Sequence, residues 1–191
     1  MPLSILKQWI EEERQAGAPN PQQAVLATIG QNNIPHSRVV AIREISNQDL
    51  LFFTQSSTRK VIELRKNPHI SLNFWFELKQ RQVIIEGQVA PLSEQENQSY
   101  WFSYPKEAQV RFLAYAPTSS QVIPSKQILE QRKKLFARQF TEQPVPFTPL
   151  YIGYRIIPST LRFYAYRQDE LSDVWEFNYQ NQGWKKDILS P

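Results

Sequence analysis

The chain has 191 residues, a formal net charge of +4 and a sequence pI near 9.3. That length can bury a sizeable core, and 41% hydrophobic against 21% charged residues excludes a disordered chain. The absence of cysteine excludes disulfides, thiolate metal sites and cysteine nucleophiles, and His36 and His69 lack ligand spacing, so no metal site is expected.

The opening stretch, MPLSILKQWIEEERQ, turns acidic after one short apolar cluster, so it does not read as a secretory signal. It reads as an amphipathic helix with Leu6, Trp9 and Ile10 on one side. No apolar run approaches the roughly 18 to 20 residues that cross a bilayer, and a soluble, cytoplasmic protein is the expectation.

AVLATI (24–29) ends at the turn-like GQNN, SRVVAIR (37–43) ends at SNQD, and LLFFT (50–54) follows. This is a hairpin rhythm of strands between Gly, Asn and Asp clusters. A short helix from about Thr58 stops at Asn67-Pro68, because proline cannot continue it. HISLNFWFE (69–77) and QVIIEGQVAPL (82–92) predict a longer hairpin, with His69 at a strand edge. Ser93 to Glu96 fits a capping box that opens a helix carrying Tyr100, Trp101 and Phe102.

Pro105 interrupts that helix, and a second one runs to about Tyr115. Ser125 starts another, lasting to about Phe140, in which Ile128, Leu129, Leu135 and Phe136 predict a buried stripe. The cations of its QRKKLFARQF run then fall on a solvated face, and nucleic acid is not the expected partner. TEQPVPFTP is too rich in proline for regular structure, and IGYRIIP, LRFYAYR and VWEFNYQ predict further strands. Roughly eight antiparallel strands with helices gathered in the middle argue an α+β fold built on a barrel or strongly curved sheet. No linker divides the chain, so one domain over residues 1–191 is expected, opened by a helix and arm to about residue 23.

The stretch FFTQSSTRK concentrates hydrogen-bonding groups at one strand-to-helix corner. Thr54, Ser56, Ser57, Thr58, Arg59 and Lys60 stand there together, and a helix start offers free backbone N–H groups as well. Such a set suits a phosphate, although it lacks the glycines and GK[ST] ending of a Walker loop. The plainer reading is that Ser57 or Thr58 caps the helix and the cations are solvated. Arg38 lies in a strand of small and aliphatic neighbours, where a cation calls for an anionic partner. Gln82 offers both a donor and an acceptor, which suits the edge of a uracil-like ring; as hairpin-turn residues, Arg81 and Gln82 need no ligand.

SRVVAIR, LFFT-x3-TRK-x6-NP, RQVIIEG, SYWFSYP and the terminal WKKDILSP, in that order, resemble the pyridoxamine 5′-phosphate oxidase family from about Ala24 to Pro191. The resemblance implies a split β-barrel and a homodimer with FMN at the subunit interface. Residues from about 150 to 191 resemble the family's dimerisation region. It further implies that Arg59 and Lys60 hold the FMN phosphate, with Arg38 and Val39 at the cofactor. Phe53 and Thr54 would line the flavin, Gln82 and Tyr164 would meet its ring, and Ser119 matches a cofactor-binding serine.

On the substrate side the chain departs from the family. Tyr100 remains, but the family's lysine position is Arg43, its arginine position is Tyr104 and its serine position is Ala108. The Arg-Leu-His stretch reads Glu170-Leu171-Ser172, and an arginine at the flavin is Val174. Losing one charge-assisted hydrogen bond to a buried phosphate costs roughly 1.5 to 3 kcal/mol. The expectation is therefore an FMN-dependent oxidoreductase whose substrate is not, or is less phosphorylated than, the usual vitamer, with Tyr100 and Arg43 as substrate contacts. The alternatives are a genuine pyridoxamine/pyridoxine 5′-phosphate oxidase with a remodelled pocket, and a non-catalytic flavin-binding protein. No side chain stands out as a catalytic acid, base or nucleophile.

Overall fold

A computed structural model describes every residue, Met1–Pro191. The chain forms two compact units. Met1–Phe52, Glu63–Ala90 and Tyr154–Pro191 make the first, and Phe53–Ile62 with Pro91–Gly153 make the second.

One antiparallel sheet makes up most of the first unit. Its strands are β1 (Gln23–Ile29), β2 (Pro35–Ile45), β3 (Leu50–Gln55), β4 (His69–Phe76), β5 (Arg81–Pro91), β6 (Tyr151–Ala165), β7 (Asp173–Gln180) and β8 (Gly183–Leu189). They run in the order β3-β2-β1-β4-β5-β6-β7-β8, and a further β3–β6 pairing closes the first six into a barrel. Burial alternates along β1 and β4, the period of a pleated strand with one face in a core. Leu26, Leu72, Phe74, Val83 and Ile85 fill the inner face and are fully buried.

Helix α1 (Pro2–Gln15) buries Leu6, Trp9 and Ile10, the side read from the sequence. Trp9 meets Phe163, Trp175 and Phe76 edge-on, at centroid distances of 5.2, 5.8 and 6.4 Å. The buried Glu13 carboxylate accepts the Leu78 and Lys79 backbone N–H groups at 2.9 and 3.0 Å, closing the β4–β5 turn onto the helix. Arg81 lies over the Trp9 ring and pairs with Glu12.

The C-terminal strands correct the sequence reading. IGYRIIP and LRFYAYR are one continuous strand, β6, running through Pro158. Proline cannot donate to a ladder, but the β7 pairing begins only at Thr160, beyond it. The count of eight is kept by β8, formed from GWKKDIL.

In the second unit, α3 (Glu94–Phe102) carries the expected capping box between Ser93 and Glu96. It is followed by α4 (Lys106–Tyr115) and α5 (Lys126–Gln139). The core is aromatic: Trp101, Phe112, Phe140 and Tyr151 pack with Val110, Ala116 and Val145. Trp101 also donates its indole N–H to the Val145 carbonyl at 3.3 Å. The predicted buried stripe on α5 does not form. Ile128, Leu129 and Phe136 are half-buried and Leu135 is 61% exposed. Periodicity shows which face a helix can bury, but burial needs an opposing layer, and here Phe140, Val145 and Tyr151 supply the core instead.

Candidate functional site

Helix α2 (Arg59–Lys66) follows β3 directly, and residues 53–62 of this corner belong to the second unit. The Thr58 hydroxyl donates back to the Gln55 carbonyl at 2.9 Å, while the Thr58 carbonyl takes the Val61 and Ile62 N–H groups at 3.0 and 3.2 Å. Lys60 turns back over the corner rather than out to water. Its ammonium donates to the Thr54 hydroxyl at 2.9 Å and the Thr58 hydroxyl at 3.4 Å, both on buried residues. Arg59 is exposed.

Gln55 joins this corner to Ser119. Its carbonyl oxygen accepts from the Ser119 hydroxyl at 3.2 Å, and its amide donates to the Tyr115 phenol at 3.3 Å. Sequence reasoning passed over Gln55. The available signal was a polar residue ending an apolar strand beside hydroxyl neighbours. Burial, then the nearby Tyr104, push the Tyr115 phenol above its ordinary pKa, so it stays a neutral donor and acceptor at physiological pH.

Phe53 stacks on Tyr151 at 4.9 Å and meets Tyr100 at the same distance with rings tilted by 49°. A flavin candidate and a substrate candidate are thus in contact. Tyr104 extends the group, 6.1 Å from Tyr151, so the aromatic residue at the family's arginine position joins a ring cluster.

In the first unit, Arg38 has the anionic partner its setting called for, and that partner is a protein carboxylate. Arg38 Nη2 lies 3.3 Å from Glu63 Oε2, and its Nη1 donates to the Thr28 hydroxyl. Glu63, only 6% exposed, also accepts from Thr28 at 2.5 Å and pairs with His36 Nδ1 at 2.6 Å. Burial alone would raise the Glu63 pKa; the Thr28 and His36 hydrogen bonds and the charges of His36 and Arg38 outweigh it and hold the carboxyl below its ordinary value. Neither Glu63 nor His36 was singled out from the sequence, because their meeting depends on where α2 lies against β1 and β2. Val39, 60% exposed, and Arg43 are both on exposed positions of β2.

The outer face of the same sheet gathers other candidates. Gln82 and Tyr164 line one cavity of about 270 Å³ with Ile84, Arg162, Tyr166 and Val174. Tyr164 and Val174 are direct cross-strand partners. Glu170 lies in the exposed loop between β6 and β7, 3.7 Å from Arg167, which also pairs with Asp173 at 2.9 Å. The Ser172 hydroxyl accepts the Arg167 backbone N–H at 3.3 Å. The loop's single cation, Arg167, thus faces an excess of carboxylates from Asp169, Glu170 and Asp173.

The corner groups the cations Arg59 and Lys60 with the Thr54 and Thr58 hydroxyls, a set whose charge suits an anion such as a phosphate. A planar, hydrogen-bonding ring needs a flat wall and an amide, and Tyr164 and Gln82 supply both on one cavity. A closed six-strand antiparallel barrel with two additional strands is the architecture of the FMN-binding split barrels. Within that class the chain belongs to the pyridoxamine 5′-phosphate oxidase family. Residues 10–136 match that family, and residues 151–191 match the pyridoxine 5′-phosphate oxidase C-terminal dimerisation region.

The pyridoxine/pyridoxamine 5′-phosphate oxidase of Acaryochloris marina is 34% identical over 190 residues, covering 100% of this chain and 86% of that protein. The protein of the same name from Alteromonas mediterranea is also 34% identical, covering 100% and 89%. Among solved structures, PhzG of Burkholderia lata in complex with tetrahydrophenazine-1-carboxylic acid superposes with a TM-score of 0.86 at 28% identity, covering 100% of this chain and 92% of PhzG. An FMN-binding, pyridoxamine 5′-phosphate oxidase-related protein of Nostoc punctiforme shares the fold, with a TM-score of 0.80 at 15% identity over 98% and 96% of the two chains.

Proposed function

We propose that this protein is an FMN-dependent oxidoreductase that takes a hydride from a small substrate. The observation that carries the reading is the cavity on which Gln82 and Tyr164 come together, two residues matched separately to flavin contacts. FMN, when bound, supplies the two-electron chemistry, passing the electrons on to dioxygen or another acceptor. Arg59 and Lys60 hold its phosphate, Ser119 binds the cofactor as well, and Arg38, Val39, Phe53, Thr54, Gln82 and Tyr164 set its position. Tyr100 and Arg43 contact the substrate. Val174 brings no cation to the ring, so flavin binding relies on the remaining groups.

The substrate is less anionic than the family's phosphorylated vitamer. Tyr104 belongs to an aromatic cluster and Ala108 offers no hydroxyl, while Glu170 adds a carboxylate where the family has a guanidinium. The PhzG likeness favours this reading, because the ligand in that structure is a tetrahydrophenazine carboxylic acid. A second reading, oxidation of pyridoxamine or pyridoxine 5′-phosphate through a remodelled pocket, is favoured by the names of the relatives at 34% identity. A flavin-binding protein without turnover is the third. The protein works as a cytoplasmic homodimer with FMN at the interface, in line with its dimerisation region.

The test is the visible spectrum of the FMN-loaded protein mixed anaerobically with pyridoxamine 5′-phosphate. Flavin that stays oxidised, yet bleaches with an unphosphorylated or carboxylated dihydroaromatic compound, supports the proposal. Rapid bleaching by the vitamer phosphate would replace it with the second reading. Bound flavin that no organic donor bleaches would leave the third.

A further inference from the structure

Two neutral amides share the outer face of the barrel. Gln82 Nε2 on β5 donates to Asn73 Oδ1 on β4 at 3.0 Å. In the β4–β5 register Gln82 stands opposite Trp75 and Asn73 opposite Ile84, so the amides are diagonal neighbours on one face. Asn73 also stands opposite Val25 of β1, which stands opposite Val39 of β2. One cross-strand row therefore runs from Val39 through Val25 and Asn73 to Ile84, the last a wall of the cavity that Gln82 lines.

A lone glutamine can turn either its NH₂ or its carbonyl oxygen towards a ligand. Here the NH₂ gives one of its two N–H groups to Asn73, on the β4 side, which fixes the plane and sense of the carboxamide. With the NH₂ turned to β4, the carbonyl oxygen at the other end of the carboxamide becomes the group to face the cavity that Gln82 lines with Ile84 of β5 and residues of β6, β7 and the C-terminal end. We propose that Asn73 is a positioning residue: it orients the Gln82 carboxamide so that an acceptor is offered to the cavity. This selects a ring edge that presents an N–H donor, such as an imide, over one that presents only carbonyls. The proposal rests on Gln82 contacting the flavin.

The experiment is FMN titration of the full-length apoprotein, followed by quenching of flavin fluorescence and by the shape of the bound flavin's absorption bands. Asn73→Leu removes the acceptor and leaves Gln82 free to turn. FMN should then bind about tenfold more weakly, the order of one neutral hydrogen bond, with altered band shape. Asn73→Asp can only accept, so it should keep the Gln82 orientation, the bands, and an affinity within about threefold of the parent protein. Asn73→Asp as damaging as Asn73→Leu would overturn the proposal, because the amide pair would then run the other way. So would an Asn73→Leu variant that binds like the parent while Gln82→Leu binds weakly. If Gln82→Leu itself changes nothing, the flavin reading of Gln82 fails, and the role of Asn73 with it. Urea midpoints for each variant separate loss of fold from loss of orientation.

Discussion

Removing the Glu63 carboxylate should be among the most costly single changes in the barrel unit. Glu63 accepts from Thr28 at 2.5 Å and pairs with His36 and Arg38 at 2.6 and 3.3 Å while only 6% exposed. Hydrogen bonds to a charged group contribute roughly 1.5 to 3 kcal/mol each, and breaking a buried pair by deleting one partner costs about 3 to 5 kcal/mol. Glu63→Leu is therefore expected to lose about 3 to 5 kcal/mol. Glu63→Gln keeps an acceptor oxygen and should lose about 1 to 2 kcal/mol. With a urea m-value of about 2 kcal/mol/M, the leucine variant's midpoint falls by roughly 1.5 to 2.5 M at fixed protein concentration.

The pH dependence follows from the lowered Glu63 pKa. A carboxyl with a depressed folded pKa contributes stability above its unfolded pKa, near 4, and loses it as pH falls through the folded value. The gap between the parent protein and Glu63→Gln should be full at neutral pH and close in acid. A leucine variant within 1 kcal/mol of the parent, or a gap that widens in acid, would refute the reasoning.

Replacing Arg59 and Lys60 together by alanine should abolish flavin copurification while far-UV circular dichroism stays unchanged; undiminished flavin content would remove them from the phosphate site. Glu170→Arg with Ser172→His should raise turnover of pyridoxamine 5′-phosphate by at least tenfold if one charge-assisted bond to the phosphate is regained. Steady-state oxygen uptake reads this, and no gain would locate the block elsewhere. Gly153→Ala would put a methyl group 2.5 Å from Phe53 and 2.7 Å from Leu92. Overpacking of this kind costs about 1 to 3 kcal/mol, visible as a lower thermal midpoint, with an altered flavin spectrum if Phe53 lines the ring.

Much of the chain was legible because its signals are local. Alternating burial along β1 and β4, the Ser93–Glu96 capping box and the Asn67-Pro68 stop depend on neighbours a few positions away. The resemblance supplied the family, the split barrel and the candidate residues, and the barrel and the family match bear out the first two. The sequence by itself determined most helix starts and stops and the apolar faces of α1, β1 and β4, since period and capping are properties of a short stretch. Only the tertiary structure decided what those faces meet. β6 passes through Pro158 ahead of its ladder to β7, and Leu135 stays exposed while other residues complete the core. Arg38 finds Glu63, Gln55 finds Ser119 and Gln82 finds Asn73 through register and packing. Register sets which side chains oppose each other across strands far apart in the chain, and no local pattern carries that information.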